Sequence, residues 1–122
     1  MQNTTYDIWT FSDLESWRGT DLTGFHVQAV DGEIGTVDEA TYDVGASYIV
    51  CDTGPWIFGK KVLLPAGVVE MVDVPNHKLI VNRSKDEIQK APEFDAERYR
   101  EEAYRNNIAT YYGERMPAGT LR

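Results

Sequence analysis

Apolar and polar residues alternate with a period of two in the middle of the chain, which predicts short β-strands with one buried face. Phe25, Val27 and Ala29 form the apolar side of the first strand, between polar neighbours. Asp31-Gly32 follows directly, and this dipeptide predicts a tight hairpin because glycine readily takes a positive φ. The β-rich region therefore opens with a β-hairpin.

The return strand of this hairpin, residues 33–43, contains a break in its alternation. Ile34 falls on one face of a regular strand, whereas Val37 falls on the other. Gly35 lies between them, where a β-bulge would restore the register and bend the sheet. We therefore expect a bulge at Gly35.

Further β-favouring runs follow at nearly regular spacing, at residues 48–53, 56–64, 68–72 and 78–82. The first of these runs is too apolar for an exposed edge and is predicted to be central. Five or six short strands separated by glycine and proline bends favour a small closed barrel over a sandwich. The predicted fold class is thus mainly β.

Helical patterns flank the β region on both sides. An aromatic arm, residues 1–21, contains the capping-box residues Ser12 and Glu15, which predict one or two helical turns. A second capping box, Ser84 with Glu87, opens a short helix that ends at Pro92.

A longer amphipathic helix is expected from Asp95 to Tyr112, about 25 Å at 1.5 Å per residue. Phe94 and Tyr99 occupy the positions of a hydrophobic staple at its start. Its apolar stripe is rich in tyrosine, which suits half-wet surfaces such as interfaces. Packing on its own barrel and packing against another subunit both remain open. The stripe consists of Tyr99, Ala103, Tyr104, Ile108, Tyr111 and Tyr112.

The chain carries a net charge of −8, and its basic residues are unevenly distributed. No Lys or Arg occurs between Gly19 and Gly59, although seven acidic residues do. Such a surface repels phosphate backbones, so direct contact with nucleic acid is not expected. It is either a solvated face that maintains solubility or a docking face for a basic protein partner.

The residues capable of chemistry each have a simpler structural interpretation. Cys51 lies within an apolar strand, where a free cysteine is usually a small core residue. His26 and His77 lack the spacing of metal ligands, and Asp31 is explained by the hairpin turn. We therefore predict no enzyme activity, no cofactor and no metal site.

One aromatic and basic cluster stands out in the predicted strand 56–64. Trp56, Phe58 and Lys60 share a strand face, so they either plug the barrel or form a binding surface. With the tyrosine stripe, this cluster supplies the residues that we predict as an interface. They are Tyr99, Tyr104, Ile108, Tyr111, Tyr112, Trp56 and Phe58.

Several segments together resemble the PRC-barrel family. They are the runs 22–27, 31–37 and 48–51, the run 61–65 leading into Val68, and the run 79–92. The resemblance implies a small β-barrel that serves as a non-catalytic module. The family is similar to the barrel of the photosynthetic reaction-centre H subunit and to the C-terminal barrel of a ribosome-maturation factor.

These observations divide the chain into an arm (1–21), a PRC-like barrel (22–92) and a C-terminal helix with its tail (93–122). The leading hypothesis is a self-associating module that docks a protein partner. The alternatives are a ribosome- or RNA-processing accessory that acts through a basic protein, and a small-ligand carrier or enzyme. The polar N-terminus and the lack of a membrane-length apolar run predict a cytoplasmic location.

Overall fold

The computed structural model describes residues 8–11, 17–42, 46–54 and 60–113. These residues form six strands, a 3₁₀ turn and two helices, so the mainly β fold with a C-terminal helix is confirmed. The capping box at Ser12 and Glu15 lies outside the described residues. The elements are β1 His26–Ala29, β2 Gly32–Ala40, β3 Tyr48–Asp52, β4 Lys61–Pro65, the 3₁₀ turn Ala66–Val68, β5 Val69–Asp73, β6 Lys78–Val81, α1 Lys85–Gln89 and α2 Glu102–Gly113.

The strands form one sheet in the order β4-β3-β2-β1-β6-β5. Its two edge strands, β4 and β5, are consecutive in the chain and are joined by the 3₁₀ turn. Three residues cannot span a flat six-stranded sheet, because neighbouring strands lie about 4.8 Å apart. The sheet must therefore curl until its two edges approach each other.

The predicted closure of the barrel by strand pairing is wrong, since no ladder joins β4 to β5 in the described parts of the chain. The backbone at the corner is hydrogen-bonded elsewhere. The N–H of Ala66 donates to the carbonyl of Ser47 at 3.0 Å, and that of Gly67 donates to Ile8 at 2.8 Å. The N-terminal arm thus occupies part of this seam.

Strand β2 contains a bulge at the position predicted from the break in its alternation. Val27 faces Gly35, but the next residue of β1 faces Glu33, which leaves Ile34 as the extra residue. Ile34 and Val37 are consequently both buried. Gly35 also lies against β3, because a Cβ at this position would be 2.0 Å from the carbonyl oxygen of Asp52.

One core is shared by the arm, the sheet and both helices. Strand β3 has neighbours on both sides and four buried residues out of five, so its predicted central position is confirmed. Residues from all three sequence segments meet in this core. Those outside the sheet include Ile8, Phe11, Trp17, Ile88, Tyr99, Ile108 and Tyr112.

Of the two C-terminal helices, α1 begins where the sequence predicts and α2 does not. The hydroxyl of Ser84 accepts the N–H of Glu87 at 3.1 Å, which confirms this cap. Helix α2, however, begins at Glu102 instead of Asp95, and residues 96–100 form turns. The side chain of Tyr99 packs against Phe94, with 5.0 Å between the ring centroids, and also reaches the sheet.

Replacing Gly35 with alanine should strongly destabilise the fold, because the new methyl group would overlap the backbone of β3. We expect a loss of about 2–4 kcal/mol in the free energy of unfolding, measured by urea titration. Gly113→Ala is the matched control, since nothing lies within 4 Å of a Cβ there. Equal effects of the two substitutions would contradict the close approach.

Candidate functional site

A carboxylate on β2 ties the segment before α2 to the sheet. Glu39 accepts hydrogen bonds from the hydroxyl of Tyr99 at 2.9 Å and from the hydroxyl of Tyr48 at 3.2 Å. Arg100 pairs with the same carboxylate at 3.2 Å, and its guanidinium lies 4.6 Å from the Tyr99 ring centroid. Burial, followed by the charge of Glu39, raises the pKa of Tyr48. The arrangement therefore favours neutral tyrosines around one anion.

A buried arginine fixes the other end of this helix. Arg83 is 0% exposed and donates from Nη2 to the carbonyl oxygen of Tyr112 at 3.0 Å. Its Nε lies 3.5 Å from the carboxylate of Glu87, and its Nη1 donates to the side chain of Asn82. A cation at a helix C-terminus is favourable because the carbonyl ends carry partial negative charge. Tyr111 adds a bond from its hydroxyl to the carbonyl of Glu87 at 2.6 Å.

The structure distributes the predicted tyrosine stripe between core and surface. Ile108 and Tyr112 are completely buried within their own domain, so neither is accessible to a partner in the folded chain. The interface role predicted for the stripe stays a prediction, and the burial of these two residues does not favour it. Tyr99 is also buried, whereas Tyr104 and Tyr111 are half-buried. The exposed face of α2 is polar, and Trp56 and Phe58 lie outside the described residues.

The candidate reactive groups are not assembled into a catalytic arrangement. Cys51 is 0% exposed, and burial, helped by the charges of Asp52 and Glu33, raises its pKa to about 12. His26 and His77 are neighbours through a backbone hydrogen bond of 2.8 Å, and both are exposed. The ring of His26 pairs with Glu33 at 2.8 Å.

A search for groups of metal-binding side chains found none among the described residues. In the same parts of the chain, no helix has both the length and the apolar character needed to cross a bilayer.

Among the described residues, surface clefts lie around the sheet. One of about 260 Å³ lies between β4 and the α1–Pro92 turn, and the Lys60–Glu93 pair borders it. A second, of about 350 Å³, lies beside Trp17 and Tyr42. A third, of about 360 Å³, lies between the N-terminal arm and the start of α2. Neither His26 nor His77 lines any of the three.

Exposed or half-exposed apolar residues occur on β5, on β6 and in the turn after β1, and we call Val30, Ile80 and Met71 the outer strip. Ile80 faces Met71 on one side and Gln28 on the other, and residues paired in this way share a face. Val30 lies in the turn directly after β1, and its N–H donates to the carbonyl of Arg83 at 3.0 Å. Val30 is 52% exposed and Met71 is 51% exposed, and both are among the exposed large hydrophobic residues of the described chain.

A bulge explains why Met71 faces outward. In a regular strand Val69 and Met71 would share one face. The register instead shifts at Glu70, so that Val69 faces the buried Val81 and Met71 faces the half-exposed Ile80. Sequence alternation alone therefore missed the outer strip. Unlike the bulge at Gly35, this one lacks a glycine that could have signalled it.

The comparison with known protein families agrees with this sheet. Residues 15–88 match the PRC-barrel domain family. The chain belongs to the PRC-barrel family. Domains of this family are generally non-catalytic modules of protein interaction and assembly. A search among curated proteins found no match.

Other functional residues were also missed by sequence reasoning. Arg83 looks like an ordinary surface residue beside the Ser84 cap, and only its burial gives it a role. Glu39 lies on a strand face where alternation predicts a solvated charge. Each has a distant partner besides its near ones: Tyr112 is 29 residues from Arg83, and Arg100 is 61 residues from Glu39. No local pattern identifies these distant contacts.

Removing the buried cation should release α2. Arg83→Ala leaves the Tyr112 carbonyl without its donor and Glu87 without its partner. We expect a loss of about 3–5 kcal/mol in unfolding free energy, measured by urea titration with circular dichroism. Lys90→Ala is the control, because it breaks only the exposed Lys90–Asp86 pair and should cost less than about 0.5 kcal/mol. A loss below about 1 kcal/mol for Arg83→Ala would contradict this role.

The buried thiol should make stability fall at alkaline pH. The folded pKa of Cys51 is raised above its ordinary value of 9.0, so its contribution is complete below pH 9 and is lost as pH rises towards 12. Between pH 9 and 10, wild type should lose about 1 kcal/mol more than Cys51→Ala in urea unfolding. Parallel pH profiles of the two proteins would contradict a buried, protonated thiol.

Proposed function

We propose that this protein is a non-catalytic protein-binding and assembly module that self-associates through the outer strip. The single observation that carries the proposal is the exposure of Met71 directly opposite the half-exposed Ile80, with the exposed Val30 at the end of β1. Contiguous apolar side chains on a charged protein are typical of interaction sites. Helix α2, by contrast, directs Ile108 and Tyr112 into its own core.

The surroundings of the outer strip resemble the rim of a protein interface. Lys78 and Asp73 face each other across β5 and β6, and Glu33 faces Gln28 at the end of the strip. An apolar centre with a polar rim is the usual anatomy of such a surface. Because the rim carries both signs of charge, a second copy rotated by a two-fold axis can complement it.

Packing through the sheet face is favoured over the addition of strands at an edge. The β5 edge carries a bulge with the charged Glu70, and the β4 edge carries Lys61 and Pro65. Bulges, charges and prolines are the features that protect exposed edges from pairing with another chain. We therefore propose a face-to-face dimer.

Docking of a basic protein, as in the ribosome-associated alternative, is supported only by charge. Asp31, Glu33, Asp38 and Asp52 are exposed on the first three strands and their hairpin. Each already has a local partner, such as Lys61 at 2.8 Å from Asp38. Exposed pairs of this kind contribute little stability, so a basic partner can displace them. The cytoplasmic location remains a prediction.

A single charge within the outer strip should separate the copies. Met71→Glu would bury an unpaired carboxylate at the proposed interface, which opposes association. Light scattering after size exclusion should give twice the 13.8 kDa chain mass for wild type and about 13.8 kDa for the variant. The dissociation constant should rise at least tenfold.

Asn107→Glu is the control, because it adds the same charge at an exposed position on α2. It should leave association unchanged. Thermal unfolding must show that both variants remain folded. A monomeric wild type at about 100 µM would overturn self-association, and a dimer that survives Met71→Glu would place the interface elsewhere.

A further inference from the structure

The third cleft contains an arginine that lacks an anionic partner. Arg105 lines this cleft together with Trp9, Arg100, Glu102 and Asn106. Its guanidinium carbon lies 4.7 Å from the centroid of the Trp9 ring. Among the described residues it forms no salt bridge, and its Nε is buried without a hydrogen-bond partner.

The lack of an anionic partner is not shared by Arg100, the neighbouring arginine before the start of α2. Arg100 is paired with Glu39 at 3.2 Å, so its charge is already balanced. Arg105 is stacked on an aromatic ring in a comparable way but has no carboxylate. Stacking leaves the edges of a guanidinium free, and because the Nε of Arg105 is itself buried, a ligand carboxylate would pair with its two Nη groups through two parallel hydrogen bonds.

An acidic residue lines the same cleft without neutralising Arg105. Glu102 is three residues earlier on the helix, a spacing at which opposite charges normally meet. The described chain nevertheless has no salt bridge between them. The contact of Arg105 with Trp9 explains this, because it holds the guanidinium over the ring of the N-terminal arm.

From these groups we propose that the cleft binds a small zwitterion of the α-amino acid class. The carboxylate of the ligand pairs with Arg105 and its ammonium group pairs with Glu102. The exposed amide of Asn106 can donate or accept a hydrogen bond to a polar side chain of the ligand. A volume of about 360 Å³ is at the small end of ligand pockets, which fits a molecule of this size.

The site is independent of the outer strip, since the two share no residue. A simple anion should bind less well than a zwitterion, because Glu102 repels an anion that Arg105 attracts. A ligand with both charges gains from each residue. Loss of binding would therefore follow from removing either charge of the protein or either charge of the ligand.

L-glutamine is a suitable test compound, because it combines both charges with an amide. Its N-acetyl derivative lacks the ammonium group, and its α-amide lacks the carboxylate. Titration of ¹⁵N-labelled protein should give saturable shifts in the spectra of Trp9, Arg105 and Asn106. We expect a dissociation constant of about 1 mM or tighter for glutamine and at least tenfold weaker binding of both derivatives.

Substitutions in the protein test which of its charges binds which charge of the ligand. Arg105→Gln should weaken glutamine binding at least tenfold, and Arg105→Lys should restore part of it. Glu102→Gln should weaken binding of glutamine but not of the N-acetyl derivative. Arg98→Gln, at an exposed position before α2, is the control and should change nothing. Unchanged melting temperatures will show that the variants are folded.

Two results would overturn the proposal. One is the absence of saturable shifts in wild type at 20 times the expected dissociation constant. The other is equal binding of glutamine and its N-acetyl derivative to wild type, which would mean that Glu102 has no part in recognition.

Discussion

The position of the C-terminal helix depends on the burial of Arg83. A cation removed from water requires compensation, and this one receives it from the Tyr112 carbonyl, from Glu87 and from Asn82. Asn82 follows β6, Glu87 lies in α1 and Tyr112 lies near the end of α2, so Arg83 joins these three segments. With the last turn of α2 bound to Arg83, Ile108 lies in the core and Arg105 lies over Trp9 of the arm.

The form of the sheet follows from a different constraint, namely that its edge strands are consecutive in the chain. The short turn between β4 and β5 curls the sheet, yet the backbone at that turn bonds to Ser47 and Ile8. The N-terminal arm, and not a pairing of β4 with β5, therefore contacts the backbone between these two edge strands. This explains why the N-terminal segment belongs to the core even though it precedes the β-rich region. It also places Trp9 near α2, where it holds Arg105.

Local pattern predicted the features that depend on neighbouring residues. The hairpin at Asp31-Gly32, the bulge at Gly35, the central β3 and the Ser84 cap are all of this kind. The pattern failed where distant contacts decide the outcome. Helix propensity continues through Tyr99, but a bond to Glu39, 60 residues away, holds this residue in a turn. The register shift at Glu70 likewise depends on pairing with β6, so sequence alone could not place Met71 outside.

The abundance of tyrosine near the C-terminus has an explanation other than an interface. Tyr99 and Tyr111 each extend a hydroxyl to an acceptor on another element, namely Glu39 and the carbonyl of Glu87. Leucine would fill similar space but could make neither bond, and an unpaired acceptor at a packed surface is costly. Tyrosine joins an apolar ring to a polar tip, which suits a helix that covers the half-polar surface of a curled sheet. For Tyr99 and Tyr111, the residue type that suggests an interface is thus also one that attaches the C-terminal segment to its own sheet and to α1.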